Sequence, residues 1–354
     1  MDPKQELFSL LDIVVKKQAT DLHIAEGKPP LLRLHGKLIP VNSGEILTSE
    51  RAAELASVLL TEEQKQKLIQ DRDLDFSYEH KNKARFRINL YFQKNYLSAA
   101  LRLIPAKIKT IEELNLPLIV REFTKPSQGF VLVTGPTGHG KTTVLAALID
   151  IINHTRHDHI ITIEDPIEYV FKQDQCLVEQ REIGQDAKSF QRALRAVFRE
   201  DADVIMIGEM RDTATISTAV TAAETGHLVF ATLHTNTAAQ TIDRIIDSFE
   251  GHQQNQIRMQ LANSLLGIIS RRLVPTISGE RISAAEVLIA NNAIRSLIRE
   301  NKVHQIDLVI QTSAEIGMIS LNKALAELVQ KKIISPEIAQ VYSPNPSELK
   351  VLLR

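Results

Sequence analysis

The sequence predicts an α/β protein in two parts: an N-terminal α+β domain, then a parallel sheet covered by helices that ends in a helical C-terminal part. Three observations carry this. The chain has 354 residues, enough for two domains at about 150 residues each. Leu22–Pro40 alternates in polarity and holds Gly27, Pro29, Pro30 and Gly36, as a hairpin-rich sheet does, and Ala84–Ile104 reads as two more strands. From Gly129 the pattern changes to short continuous apolar runs, FVLVT, HIITIE, VIMIGE and HLVFATLH, separated by helical stretches. Strands that are apolar on both faces belong to a parallel sheet with helices on each side.

The remaining elements follow in order. Leu7, Leu10, Leu11 and Val14 have the spacing of a short amphipathic helix over Leu7–Lys16. Thr48 is placed to cap a helical segment over Ser49–Gln70. The first domain is expected over residues 1–104. Residues 105–126, with Pro105, Pro117, Pro126 and the basic IPAKIKT, read as an interdomain linker. The sheet-bearing core is expected over 127–277 and the helical part over 278–354, with Pro336, Pro344 and Pro346 in its tail.

Composition excludes several classes. Lys plus Arg number 42 and Asp plus Glu 43, a net charge of −1, so bulk attraction to nucleic acid or an acidic membrane is not expected. The single cysteine, Cys176, leaves no intramolecular disulfide and no four-cysteine zinc site. No apolar run approaches about 18 residues, and MDPKQELFSL has neither a basic nor an apolar leader region. The expectation is a cytoplasmic protein with no integral membrane segment.

Gly135-Pro136-Thr137-Gly138-His139-Gly140-Lys141-Thr142 fits GxxxxGK(S/T), between the apolar strand Phe130–Thr134 and a helix over Thr143–Ile152. In that context the backbone amides and the helix N-terminus cradle phosphates. Lys141 is placed to reach the β- and γ-phosphates and the Thr142 hydroxyl to ligate Mg²⁺. The sequence is that of a nucleotide-binding protein.

Two later strands end in acids. ITIEDPIEY carries Glu164, Asp165 and Glu168, and DVIMIGEMRD runs into Gly208-Glu209. With glycine where many phosphate-loop proteins hold an Asp, Glu209 is the better candidate for polarising an attacking water. Glu164 is either a second candidate or a structural partner of Mg²⁺-bound water or an arginine. His227 and His234 bracket GHLVFATLHTN, and a separation of seven puts them on opposite faces of a strand. His234 is the better candidate for the γ-phosphate region. Arg85 and Arg87 share a strand face near Arg102; they either reach nucleotide from another domain or subunit or form a solvated face. Arg192, Arg195 and Arg199 read as one helix face, with Glu200, Asp201 and Asp203 following to form a surface ion-pair network.

Taken together, these boxes resemble the secretion-superfamily ATPases, and within them the type IV pilus retraction subfamily. GPTGHGKTT (residues 135–143, Thr143 included) resembles the family's Walker A, IITIEDPIEY its aspartate box, VIMIGEMRD its Gly-Glu Walker B and GHLVFATLHTN its histidine box. ATDLHIAEGKPPLLRLHGKL resembles the start of the family's N-terminal domain, and AIRSLIRE (residues 293–300) the retraction signature. The resemblance implies a PAS-like N-terminal domain, a RecA-like ATPase domain, ATP and Mg²⁺ as ligands, and a homohexameric ring. It implies a peripheral place at the inner membrane, on the platform protein of the pilus machine. It gives Glu209 the catalytic role, Glu164 a supporting one, His227 and His234 sensing or interface roles, and Arg85, Arg87 and Arg102 contacts to nucleotide across a boundary. His139 departs from the family's usual serine and is expected to face outward; Ser313 stands where glycine is common. The alternatives are a pilus-assembly or type II secretion ATPase, which usually carries a four-cysteine zinc insertion, and a RecA-like DNA motor, which needs a basic, aromatic-studded stretch absent here. A non-hydrolysing regulator conflicts with Lys141, Thr142, Glu164 and Glu209.

Overall fold

The computed structural model describes residues 2–34, 36–41, 45–81, 84–104 and 107–354. It divides into two compact units, Met1–Lys107 with Pro166–Val170, and Ile108–Asp165 with Phe171–Arg354.

In the first unit α1 (Pro3–Lys17) is capped by Asp2 and buries Leu7, Leu10, Leu11 and Val14, the stripe read from the spacing. β1 (Asp21–Ile24), β2 (Leu31–Leu34) and β3 (Lys37–Pro40) form the hairpin-rich stretch. The single helix expected over Ser49–Gln70 is two. Thr48 caps α2 (Ser49–Ser57), and Thr61 with Gln64 makes a second capping box that starts α3 (Glu62–Asp71). β4 (Asp73–His80) was not expected; β5 (Ala84–Gln93) and β6 (Tyr96–Ile104) were. Among the described residues these strands form a six-stranded antiparallel sheet in the order β3-β2-β1-β6-β5-β4. Its buried face, including Leu22, Ile24, Phe86, Ile88, Leu90 and Leu101, packs with the apolar stripes of α1 and α2.

The second unit begins inside the expected linker. Pro105 and Ala106 lie outside the described residues, but Ile111, Leu114, Leu116, Val120 and Phe123 are buried, so this stretch packs as part of the unit. Proline content signalled a break in regular structure, and the apolar side chains between the prolines decided the outcome.

There follow β7 (Gly129–Thr134), α4 (Lys141–Thr155), β8 (His159–Glu164), β9 (Leu177–Glu182), α5 (Phe190–Val197), β10 (Val204–Ile207), α6 (Thr213–Glu224), β11 (Leu228–Leu233), α7 (Ala238–Asp247) and α8 (Gly251–Ser264). β12 (Leu265–Pro275) and β13 (Arg281–Ile289) form a long hairpin before α9 (Asn292–Arg299), α10 (Ile306–Thr312), α11 (Leu321–Gln330), α12 (Pro336–Tyr342) and α13 (Pro346–Leu352). The sheet has seven strands among the described residues, ordered β13-β12-β7-β11-β10-β8-β9. All pairs are parallel except β12 with β13, so the sheet is mixed, and the helical part starts after β13. The four apolar runs read as buried strands are β7, β8, β10 and β11. Their side chains, Phe130, Leu132, Ile161, Ile163, Ile205, Ile207, Val229 and Ala231 among them, are the centre of the core. Among the described residues no helix is long and apolar enough to cross a membrane.

Two smaller expectations also change. α5 ends before Arg199, Glu200 pairs with Arg181 at 2.7 Å, and Asp203 accepts the His159 amide at 2.9 Å. Glu200 and Asp203 are engaged elsewhere, and the row Arg192, Arg195 and Arg199 is exposed. Ser313 has φ −113°, a conformation open to any residue, so replacing the common glycine costs no strain.

Candidate active site

The parallel order places the carboxyl ends of β7, β10 and β11 side by side, which is where open α/β sheets hold their ligands. β7 runs into the loop 135–140, and Gly140, at φ 77°, is the N-cap of α4. Lys141 is 8% exposed and turns back over the loop, its Nζ donating to the Gly135 carbonyl at 2.9 Å and the Pro136 carbonyl at 3.2 Å.

From β11 comes His234. Its Nδ1 lies 3.2 Å from Lys141 Nζ and 3.2 Å from Thr137 Oγ1. An ammonium can only donate, so Nδ1 accepts and the ring proton sits on Nε2. Nε2 is 2.8 Å from Glu209 Oε1, just past β10, and Arg211 Nη2 is 2.9 Å from Glu209 Oε2. Lys141, His234, Glu209 and Arg211 thus form one hydrogen-bonded chain along the mouth of the phosphate loop. Burial pushes the Glu209 carboxyl up, but the hydrogen bond from Arg211 and the neighbouring Arg211, His234 and Lys141 outweigh it and hold the group below the ordinary carboxylate range. Glu209 is therefore ionised at neutral pH and able to take a proton from a water.

Glu164 ends β8 under different conditions. It is 2% exposed, and Oε1 accepts from Thr162 Oγ1 at 2.7 Å and from Gln180 Nε2 at 3.1 Å. Gln180 lies on β9, a strand whose polar sequence gave no signal.

The structure brings Lys141, Thr137, His234 and Glu209 together and leaves His227 out. His227 precedes β11, donates from Nδ1 to the Ala222 carbonyl (3.1 Å) and stacks edge-on against Phe198 at 5.4 Å. Leu228 pairs with Gly129 and Leu233 with Thr134, so His227 sits at the opposite end of the strands, about 20 Å from the loop by strand rise.

His139 does not face outward. Its Nδ1 accepts the Leu273 amide of β12 at 3.0 Å, because β12 lies beside β7 and passes directly under the loop. Arg85, Arg87 and Arg102 belong to the first unit. Arg85 donates to the Ile167 carbonyl at 3.1 Å and to Ser77; Arg87 pairs with Asp75 at 3.5 Å and Glu168 at 3.7 Å; Arg102 pairs with Asp21 at 2.9 Å. The segment after the aspartate box is thus held by the arginine-bearing strand. Two residues that sequence reasoning missed are Arg211, two positions beyond Glu209, and Arg271, which had no local signal.

The spacing in AIRSLIRE predicts a helix that docks Ala293, Ile294, Leu297 and Ile298 on one face and projects Arg295 and Arg299 together from a neighbouring one, and the structure differs. Ile294 and Ile298 are buried, whereas Ala293 is exposed. Arg295 does not project with Arg299. It donates to the carbonyls of Ala290 at 2.9 Å and of Ala262 and Asn263 at 2.6 Å each, closing the C-terminal end of α8.

A phosphate loop at a sheet's carboxyl edge with an ionised glutamate across from it defines a P-loop ATPase. The "Type II/IV secretion system protein" family matches residues 6–331, and the chain belongs to it. It is 44% identical over 341 residues to the type IV pilus retraction ATPase PilT of Pseudomonas aeruginosa, covering 96% of this chain and 99% of that protein. It is 44% identical over 321 residues to the twitching motility protein of Neisseria gonorrhoeae, covering 90% and 86%. A crystal structure of the pilus retraction motor PilT with bound ADP superposes with a TM-score of 0.90 at 46% identity, covering 97% of this chain and 98% of the other.

Proposed function

We propose that this chain is the ATP-hydrolysing subunit of a type IV pilus retraction motor, working as a homohexameric ring. The observation that carries the reading is the chain Lys141–His234–Glu209 across the phosphate loop, in a protein whose likeness to pilus retraction ATPases runs nearly end to end. The chain is an ATPase of the secretion family. ATP is read as bound with its phosphates on the backbone of residues 135–143, Lys141 leaving its own loop carbonyls for the β- and γ-phosphates. The Thr142 hydroxyl, next to Lys141 at the start of α4, is an oxygen donor of the kind that fits a hard cation, so Mg²⁺ would be held by Thr142 and phosphate oxygens and would neutralise charge there. Glu209 polarises the attacking water, His234 couples Glu209 to Lys141, and Glu164 orders the neighbouring strand end.

We read the N-terminal unit as PAS-like, with functional boundaries near residues 104 and 127, and Arg85, Arg87 and Arg102 as reaching nucleotide across a subunit boundary. The ring is read as peripheral to the inner membrane, on the platform protein of the pilus machine. The runner-up, a pilus-assembly or secretion ATPase, differs in the sign of the work and not in the chemistry.

The test has two parts. Arg299→Ala touches neither the nucleotide site nor the contacts of Arg295, so ATPase activity should stay while retraction fails and cells carry excess pili without twitching. Retraction at the normal rate would remove α9 from the motor. For the ring, mixing Arg87→Ala/Arg102→Ala subunits with Lys141→Ala subunits should partly restore hydrolysis; no restoration in a verified mixed ring rejects the arrangement in trans.

A further inference from the structure

The two glycines that define the phosphate loop have a second neighbour besides phosphate. A Cβ on Gly140 would lie 2.3 Å from Arg271 Nη1, and a Cβ on Gly135 would lie 2.3 Å from the Arg271 carbonyl oxygen. Both glycines have positive φ, 77° and 145°, so any side chain there is strained as well as blocked. The loop therefore rests on β12 at van der Waals distance.

Specific bonds cross that contact. Arg271 is 5% exposed; its Nη1 donates to the Gly140 carbonyl at 2.8 Å and its Nε to Ser283 Oγ on β13 at 2.8 Å. One strand position earlier, Ser270 Oγ meets Thr134 Oγ1 at 2.9 Å, at the last residue of β7. Two positions later the Leu273 amide donates to His139 Nδ1. Residues 270, 271 and 273 thus grip the loop at its start, at its last glycine and at the residue before that glycine. None of them lies in the nucleotide-binding motif.

We propose that β12 is a positioning brace for the phosphate loop, with Arg271 and His139 as its two latches, and that it sets nucleotide affinity. The Gly140 carbonyl is the N-cap carbonyl of α4. Fixing it aims the first amides of α4 and the Lys141 backbone before phosphate arrives, and a site ordered in advance loses less entropy on binding. His139 serves only while Nδ1 has a free lone pair. The charged groups facing it are Lys141 on its own element, Arg271 and Arg272 on β12 and Arg281 on β13. Burial first, and then these cations, hold its pKa below the ordinary 6.5 and keep the ring neutral.

The proposal rests on the loop being a nucleotide site, and the experiment separates the two. Mg-ADP binding is measured by calorimetry on the full chain for wild type, His139→Ser and Arg271→Lys, with steady-state ATPase alongside. Serine is too short to reach the Leu273 amide, and lysine keeps the charge but lacks the fork that spans Gly140 and Ser283. Each variant should bind Mg-ADP several-fold more weakly, with KM rising more than kcat falls. In wild type the affinity should weaken more steeply below pH 6.5 than in His139→Ser, which has no latch to lose. Wild type that binds no nucleotide overturns the reading of the loop and the brace with it. Wild type that binds, with both variants equally tight at pH 7.5, overturns the brace alone. A thermal melt confirms that each variant is folded.

Discussion

Two glutamates in the second unit are held in opposite ways. Glu209, at the end of β10, is half-buried among Arg211, His234 and Lys141, and those neighbours keep it ionised against the pull of burial. Glu286, in the middle of β13, is 5% exposed and has its proton tightened instead, with its pKa raised to about 7. Burial is the main cause. The Ala238 amide donates to Glu286 at 2.7 Å, and a Leu321 amide also favours the anion, but nearby Asp307 opposes them and Arg272 helps only weakly. Ala238 and Leu321 are the first residues of α7 and α11, so this carboxyl joins two helix N-termini to the sheet. The difference shows what a buried acid is for. Cations around Glu209 preserve a charge, which the proposed hydrolysis needs, and the apolar setting of Glu286 preserves a bond for architecture.

The widest separation should come from removing each acid's charge while keeping its shape. Glu209→Gln should bind Mg-ATP and hydrolyse it about 10²- to 10⁴-fold more slowly, the range for losing a general base. Near-normal turnover would transfer the role to Glu164.

Glu286→Gln should leave turnover alone and change the pH dependence of stability. A folded pKa of about 7 against the ordinary 4.5 means the native state binds more protons in that window. The contribution is therefore greatest below pH 4.5 and is lost as pH rises through about 7, to the order of 3 kcal/mol. Unfolding midpoints in wild type should drop between pH 5 and 8 more than in Glu286→Gln. Parallel pH curves would show that Glu286 is ordinary.

The Glu209 end of this comparison was legible in the sequence and the Glu286 end was not. The phosphate loop, Lys141 and Glu209 are written in contiguous boxes, and the buried strands β7, β8, β10 and β11 announce themselves as apolar runs. β13 reads RISAAEVLI, whose alanines, glutamate and leucine suit a helix; pairing with β12 overrides that preference. β9 reads LVEQRE and lies at the sheet edge, where polar residues are tolerated, so neither it nor Gln180 could be foreseen. The contacts of His139 and Arg271 join residues 134 and 131 positions apart, beyond any local pattern. His227 and His234 were paired by their box and separated by the strand between them.

Glu164 tests whether a third acid follows the first pattern or the second. Its Oε1 accepts two hydrogen bonds in a dry setting, as an architectural group does. Glu164→Ala leaves the Thr162 hydroxyl and the Gln180 amide without that acceptor and should cost about 1 to 3 kcal/mol in denaturant unfolding. Glu164→Gln can keep a carbonyl in the Oε1 position, so its loss of stability should be smaller. If Glu164→Gln is as unstable as Glu164→Ala, the charge itself is what the strand end requires.

The smallest expected effect tests the surroundings of Glu209 and not the acid itself. Arg211 is 62% exposed on its side chain, so its pairing with Glu209 is screened and adds little to stability. Its hydrogen bond is nevertheless the largest influence holding the carboxyl down against burial. Removing it in Arg211→Ala should raise the Glu209 pKa, because burial then meets only His234 and Lys141. A general base works in its ionised form, so the acid limb of the pH–kcat profile should move upward in Arg211→Ala while the plateau near neutral pH changes little. A variant in which the limb stays and the plateau falls would mean that Arg211 acts on bound phosphate. A variant in which nothing moves would mean that His234 and Lys141 alone keep Glu209 ionised, and the contrast with Glu286 would then rest on those two residues.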